Sequence, residues 1–136
     1  MSNQKEKYVL DSFALLAHFE KTNDWQKVLR LLERAANDEI ILYMSLINVG
    51  EVYYILKRER GVGQAESMIL DIDQLPIEKV IVDWEKIKIA ASIKADYKIA
   101  YADAFAAGLA EKLGGHIVTG DPEFRQMEEE ISVFWI

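Results

Sequence analysis

Cysteine is absent from the 136 residues. That excludes disulfides, thiolate metal sites and thiol nucleophiles together, and leaves any metal to be held by oxygen or imidazole. No apolar run is long or uninterrupted enough to cross a bilayer, and the polar start, residues 1–7, has no apolar segment of the signal-peptide kind. A cytoplasmic protein with no membrane partner is the expectation. Basic charge is in short supply: 16 Lys and Arg stand against 23 Asp and Glu, for a formal charge of -7. Simple electrostatic binding of nucleic acid needs Lys and Arg to displace counterions from phosphates, so it is disfavoured. A cluster of those acids filled by divalent cations would reverse the charge locally, which keeps nucleic acid open as a partner. Repeats, low-complexity segments and linkers are missing too. With 51% hydrophobic content the chain reads as one compact domain over residues 1–136.

What is there alternates. Tyr8-Val9-Leu10, residues 40–44, residues 79–82, His116-Ile117-Val118 and residues 132–135 read as strands. Helices are expected over residues 13–19, from a cap at Asn23 or Asp24, from Ser45 to about residue 60, over 64–74, from Asp83 to about residue 95 and over 102–113. A turn or short helix follows near residues 123–127. Gly61 and Gly114-Gly115 stop the helices before them. Strands alternating with helices imply an α/β fold, a parallel sheet with helices on both faces.

Two strands end in a carboxylate: Leu10 runs into Asp11-Ser12, and Val118 into Thr119-Gly120-Asp121-Pro122. In open parallel sheets ligands bind at the carboxyl ends of the strands, so both acids should share one edge. Glu51 lies inside the third helix among Ile47, Asn48, Tyr54 and Ile55, and Asp103 near the start of a helix rich in alanine. Each has a bland reading: Asp11 and Asp121 as turn formers, Asp103 as an N-cap, Glu51 as a half-buried acid paired with Arg58 or another base. Together they are harder to dismiss. Two carboxylates about 4 Å apart repel by roughly 4 kcal/mol at an effective dielectric of 20, a large fraction of a domain's stability of about 5 to 15 kcal/mol. Four in one cleft must protonate, spread or bind cations, and an all-oxygen set suits Mg²⁺ or Mn²⁺. Ser12 and Thr119 stand beside them to orient ligands or waters.

The ordered set Val9-Leu10-Asp11-Ser12, Ser45 with Asn48-Val49-Gly50-Glu51, Tyr101-Ala102-Asp103-Ala104 and Ile117-Val118-Thr119-Gly120-Asp121-Pro122-Glu123-Phe124 resembles the PIN domain, in particular the VapC-type toxins of toxin-antitoxin pairs. The resemblance covers nearly the whole chain, as a single PIN-like nuclease domain. It implies a three-layer α/β/α sandwich around a parallel sheet, and a Mg²⁺- or Mn²⁺-dependent endoribonuclease cutting single-stranded or looped RNA. Asp11, Glu51, Asp103 and Asp121 would be the catalytic, metal-binding quartet, with Ser12 and Thr119 next to it. Metal-activated water would leave a 5′-phosphate and a 3′-hydroxyl. A homodimer silenced by a cognate antitoxin is implied as well. Phe13 departs from the small polar residue many relatives carry there.

Lys57 and Arg58 follow Glu51 and are candidates for RNA contact, against a solvated helix end. Glu123 is a candidate fifth acid. His18 and His116 lie among apolar neighbours with no partner at ligand spacing and read as structural. Trp25, Trp84, Trp135 and Tyr53-Tyr54 read as core or subunit interface. Two other functions compete: a phosphatase of the haloacid dehalogenase type, which wants a second aspartate where Phe13 stands, and a PIN-like module kept only for binding.

Overall fold

A computed structural model of the chain describes residues 4–136. Five strands, β1 (Lys7–Leu10), β2 (Ile41–Ser45), β3 (Ile77–Val80), β4 (His116–Thr119) and β5 (Ser132–Trp135), form one sheet in the order β3-β2-β1-β4-β5 with every pairing parallel. The helices are α1 (Ser12–Glu20), α2 (Trp25–Ala36), α3 (Leu46–Arg60), α4 (Val62–Gln74), α5 (Trp84–Asp96) and α6 (Tyr101–Leu113), with a 3₁₀ turn at Pro122–Met127. Strand side chains alternate between two cores. Tyr8, Leu10, Met44 and Val118 meet α1 to α4 on one face, while Val9 and Ile117 meet α5, α6 and Phe124 on the other. The result is the three-layer α/β/α sandwich. Each fully buried Leu, Ile or Val in these layers contributes roughly 1.5 to 3 kcal/mol.

Local chemistry sets three of the six helix starts. Asp11 accepts from the Ala14 amide, Ser45 from that of Ile47 and Asp83 from that of Lys86, so all three cap the helix that follows. Asp24 holds the cap position of α2, but with φ 45° its side chain makes no capping bond. The third strand is displaced from residues 79–82 to Ile77–Val80. Its register pairs Ile77 with Leu42 and Val80 with Ser45, so the strand ends where β2 ends, and Ile81 is left 68% exposed beyond the edge. An apolar run marks a strand, but the neighbouring strand decides which residues pair.

At Gly115 the chain passes so close to β1 that a Cβ would lie 2.5 Å from the carbonyl oxygen of Lys7. Backbone cannot swing aside as a side chain does. Gly115→Ala is expected to destabilise the protein by about 1 to 3 kcal/mol, read as a lower denaturant midpoint. An unchanged midpoint would mean that β1 and β4 separate there freely.

Candidate active site

Direction along the sheet explains which acids meet. β1 and β4 are adjacent and parallel, so Asp11 and Asp121, just past their ends, emerge side by side at one edge. α3 leaves that same edge after β2, with Glu51 in its second turn. α6 precedes β4 and returns to the opposite edge, which puts its N-terminus, and Asp103 in its first turn, above the same strands. It packs on β1, β2 and β4 as well as on α3 and α5. Ala104, Ala106, Ala107 and Ala110 are fully buried along it, and their small size is what lets α6 lie so close.

The four acids lie near enough for their charges to act on Asp11 and Asp103, while the carboxylates within 4.8 Å of one another are those of Asp103, Asp121 and Glu123. Asp11 is buried; its Oδ1 accepts from the Ala14 amide at 2.8 Å, and its Oδ2 is buried with no protein partner among the described residues. Burial pushes its carboxyl up to about 7, the Thr119 hydroxyl and the Ala14 amide pull the other way, and the charges of Asp121 and Glu51 add to the rise. Thr119 does not reach hydrogen-bond geometry with the orphaned Oδ2. Its Oγ1 accepts from the Asp121 amide at 3.0 Å, which leaves its own hydrogen to donate. Asp103 is only 6% exposed, and burial, then the charges of Asp11, Asp121, Glu51 and Glu123, raise it to about 8. Glu51 is half-buried, with Oε1 buried and without a partner among the described residues. Asp121 is half-buried and caps the 3₁₀ turn through the Glu123 amide at 2.9 Å.

Glu123 belongs with them. Carboxylate oxygens of Asp103, Asp121 and Glu123 all lie within 4.8 Å of one another. Its signal in the sequence is the spacing of two from Asp121 across Pro122, which starts a tight turn that folds the second acid back toward the first. Ser12, the first residue of α1, and Thr119, the last of β4, are both buried beside this edge. Asp103 is not an N-cap: Ala100 holds that position, without a side-chain bond, and Asp103 is the third helical residue. Glu51 is not paired with Arg58, whose guanidinium lies over the Tyr54 ring at 5.5 Å.

Other expectations fare differently. Lys57 and Arg58 are exposed and about 9 to 10.5 Å further along α3 than Glu51, down its length and away from the acidic edge. His116 is partnered, contrary to the reading of it as surrounded by apolar residues: Nδ1 lies 2.6 Å from Ser132 Oγ, Nε2 2.8 Å from Glu6 Oε2, and its ring packs on Tyr8. It starts β4, at the far edge of the sheet, and serves the fold. His18 is half-buried, and burial lowers its pKa. Trp135 is half-buried and packs against the core that holds Val9 and Ile117, Trp25 is half-buried, and Trp84 is 70% exposed. Tyr54 is 52% exposed, and Tyr53 donates from its hydroxyl to Glu66. A cleft of about 390 Å³ lined by Lys5, Asp38, Ile41, Pro76 and Ile77 opens at the opposite edge of the sheet, where the strands begin and these acids are absent.

The donor set fits a hard divalent cation. Every candidate ligand is a carboxylate oxygen, two of them are buried without a partner among the described residues, and a cation would offset both the burial and the mutual repulsion that raise Asp11 and Asp103.

The sequence profile described as PIN domain matches residues 8–130. Among solved structures, VapBC2 from Rickettsia felis bound to a DNA fragment from its promoter has a chain that superposes with a TM-score of 0.72 at 19% identity, over 94% of this chain and 97% of that one. VapC20 of Mycobacterium tuberculosis, a Sarcin-Ricin loop cleaving toxin, gives 0.70 at 14% identity over 88% and 94%. DNA-bound VapBC from Salmonella typhimurium gives 0.70 at 17% identity over 95% and 97%. At such identities the shared property is the fold. No curated protein matches this chain.

Proposed function

The chain belongs to the PIN domain family, and from that premise we propose that it is a Mg²⁺- or Mn²⁺-dependent endoribonuclease, the toxin of a VapBC-type toxin-antitoxin pair. The observation that carries the reading is the acidic edge itself, where buried Asp11 Oδ2 and Glu51 Oε1 lack partners beside Asp103, Asp121 and Glu123. Asp11, Glu51, Asp103 and Asp121 would hold the ion. A divalent ion in such a site supplies Lewis-acid stabilisation to a phosphodiester and makes water a better nucleophile. The protein's own share is orientation. Asp11 is locked by the Ala14 amide so that one oxygen remains for the ion, Thr119 fixes the Asp121 backbone and keeps a donor free, and Ser12 offers a hydroxyl at the start of α1. Lys57 and Arg58 remain candidates for holding RNA phosphates further down α3.

Support for RNA as substrate and for an antitoxin comes from relatives of the same fold: VapC20 is a Sarcin-Ricin loop cleaving toxin, and the Rickettsia and Salmonella proteins are VapBC complexes. A single PIN-like domain over residues 1–136, a homodimer and a cytoplasmic location complete the proposal. Among the described residues no helix is long and apolar enough to cross a membrane. Membership of the PIN family leaves the dehalogenase-type phosphatase without its fold. In addition, Phe13, where that chemistry wants an aspartate, is packed against Gly120. The inactive binding module is the second reading, and metal binding separates it from the first.

The test is to incubate the purified protein with total cellular RNA, with Mn²⁺ or with a chelator, and to map new 5′ ends. Discrete 5′-phosphate ends that need the metal are expected. Absence of such ends, together with no Mn²⁺ binding in calorimetry, would leave the binding module.

A further inference from the structure

Asn48 is fully buried, on α3 one turn before Glu51, and it neither caps a helix nor carries charge. Its Nδ2 donates to the carbonyl oxygen of Ala102 at 3.1 Å, across 54 residues of sequence. Ala102 immediately precedes Asp103. One amide therefore joins the turn before Glu51 to the turn that bears Asp103. The amide's orientation follows from chemistry, because a carbonyl only accepts, so Nδ2 must face Ala102. Oδ1 is then left buried without a partner among the described residues. An unpaired buried acceptor costs stability that a leucine of similar volume would avoid, so packing alone gives no reason for asparagine here.

Apolar contact between α3 and α6 is non-directional and lets helices slide, whereas a hydrogen bond fixes both distance and angle. Building on the nuclease reading above, we propose that Asn48 is a positioning residue that sets the separation of Glu51 and Asp103 by tying α3 to the first turn of α6. Loosening it spreads two ion-binding carboxylates that repel each other, and the site loses its shape before the fold loses its stability.

The test compares the full chain with Asn48→Leu and Asn48→Ala. Asn48→Leu fills the space and removes the orphaned acceptor, and the Ala102 carbonyl retains its partner within α6. It is expected to fold with a Tm at or above that of the wild type, to bind Mn²⁺ about 10- to 100-fold more weakly in calorimetry, and to lose kcat by a similar factor with KM for RNA unchanged. A merely structural asparagine would move Tm and leave Mn²⁺ affinity and kcat alone, and that outcome in either variant overturns the proposal. If neither variant folds, Asn48→Ser, small and polar, is read by the same three measurements. A wild type that neither binds Mn²⁺ nor cleaves RNA overturns the nuclease reading and this inference together. An active wild type with unaffected variants removes only the role of Asn48.

Discussion

Asp103→Asn should lower metal-dependent RNA cleavage by about 1000-fold or more and leave the metal-free protein at least as stable as the wild type. An ion in such a site is worth several kcal/mol to the transition state, and each 1.36 kcal/mol is tenfold in rate. Asparagine keeps the shape of the side chain but gives up the charge that would hold the ion. Asp103 is the informative position because it is only 6% exposed and the negative charges of Asp11, Asp121, Glu51 and Glu123 all bear on it. Above about pH 8, where Asp103 ionises, removing its charge removes repulsion from a buried place, and below that pH asparagine stands in for the neutral acid. Asp11→Asn should behave alike, since asparagine also caps a helix well and can keep the bond from the Ala14 amide. The measurement is cleavage by wild type and variant purified side by side, with Tm recorded in chelator. Equal cleavage by all three would trace the activity to a contaminating nuclease, and a variant with Tm well below wild type would show that Asp103 supports the fold rather than straining it.

Without divalent metal, stability should fall as pH rises from about 4 to about 8, and Mn²⁺ should restore it. The sign follows from proton linkage. Asp11 and Asp103 ionise near 3.8 in the unfolded chain but at about 7 and about 8 in the folded one. Between those values the folded state binds more protons than the unfolded state, so each step up in pH favours unfolding, and the loss is complete once pH passes the folded values. This is the reverse of a salt-bridged carboxylate. At pH 8, Mn²⁺ at 100 times its dissociation constant should add about 2.7 kcal/mol, a rise in Tm on the order of 10 °C. In Asp103→Asn both the fall with pH and the rescue by Mn²⁺ should shrink. A metal-free Tm that climbs from pH 4 to pH 8 would contradict the burial and crowding that raise these acids.

Much of the fold can be read from the chain because its signals are local. Asp11, Ser45 and Asp83 each stand ahead of the helix they cap, Gly61 and Gly114 stand where helices stop, and the alternation of strand and helix already demands a parallel sheet. Gly114 sits in the left-handed region, φ 65°, where glycine carries no steric cost. Where a neighbour across space decides, the local reading slips. The third strand moved by two residues because β2 sets its register. His116 found Ser132 and Glu6, 16 residues away on one side and 110 on the other. Trp84, apolar by composition, is left in solvent because nothing in the described chain covers it.

The same division runs through the acidic site. Residue type and order alone decide that Asp11 and Asp121 follow strands, that no thiolate ligand exists and that any ion must be held by oxygen or imidazole, because these depend only on composition and on neighbours along the chain. Tertiary structure alone decides that Asp103 and Glu123 approach Asp121, that Asp11 and Asp103 are driven far from their ordinary pKa, and that Asn48 reaches across to Ala102. Burial and Coulomb repulsion act through space and vary with distance and dielectric, quantities that exist only once the helices have packed against the sheet.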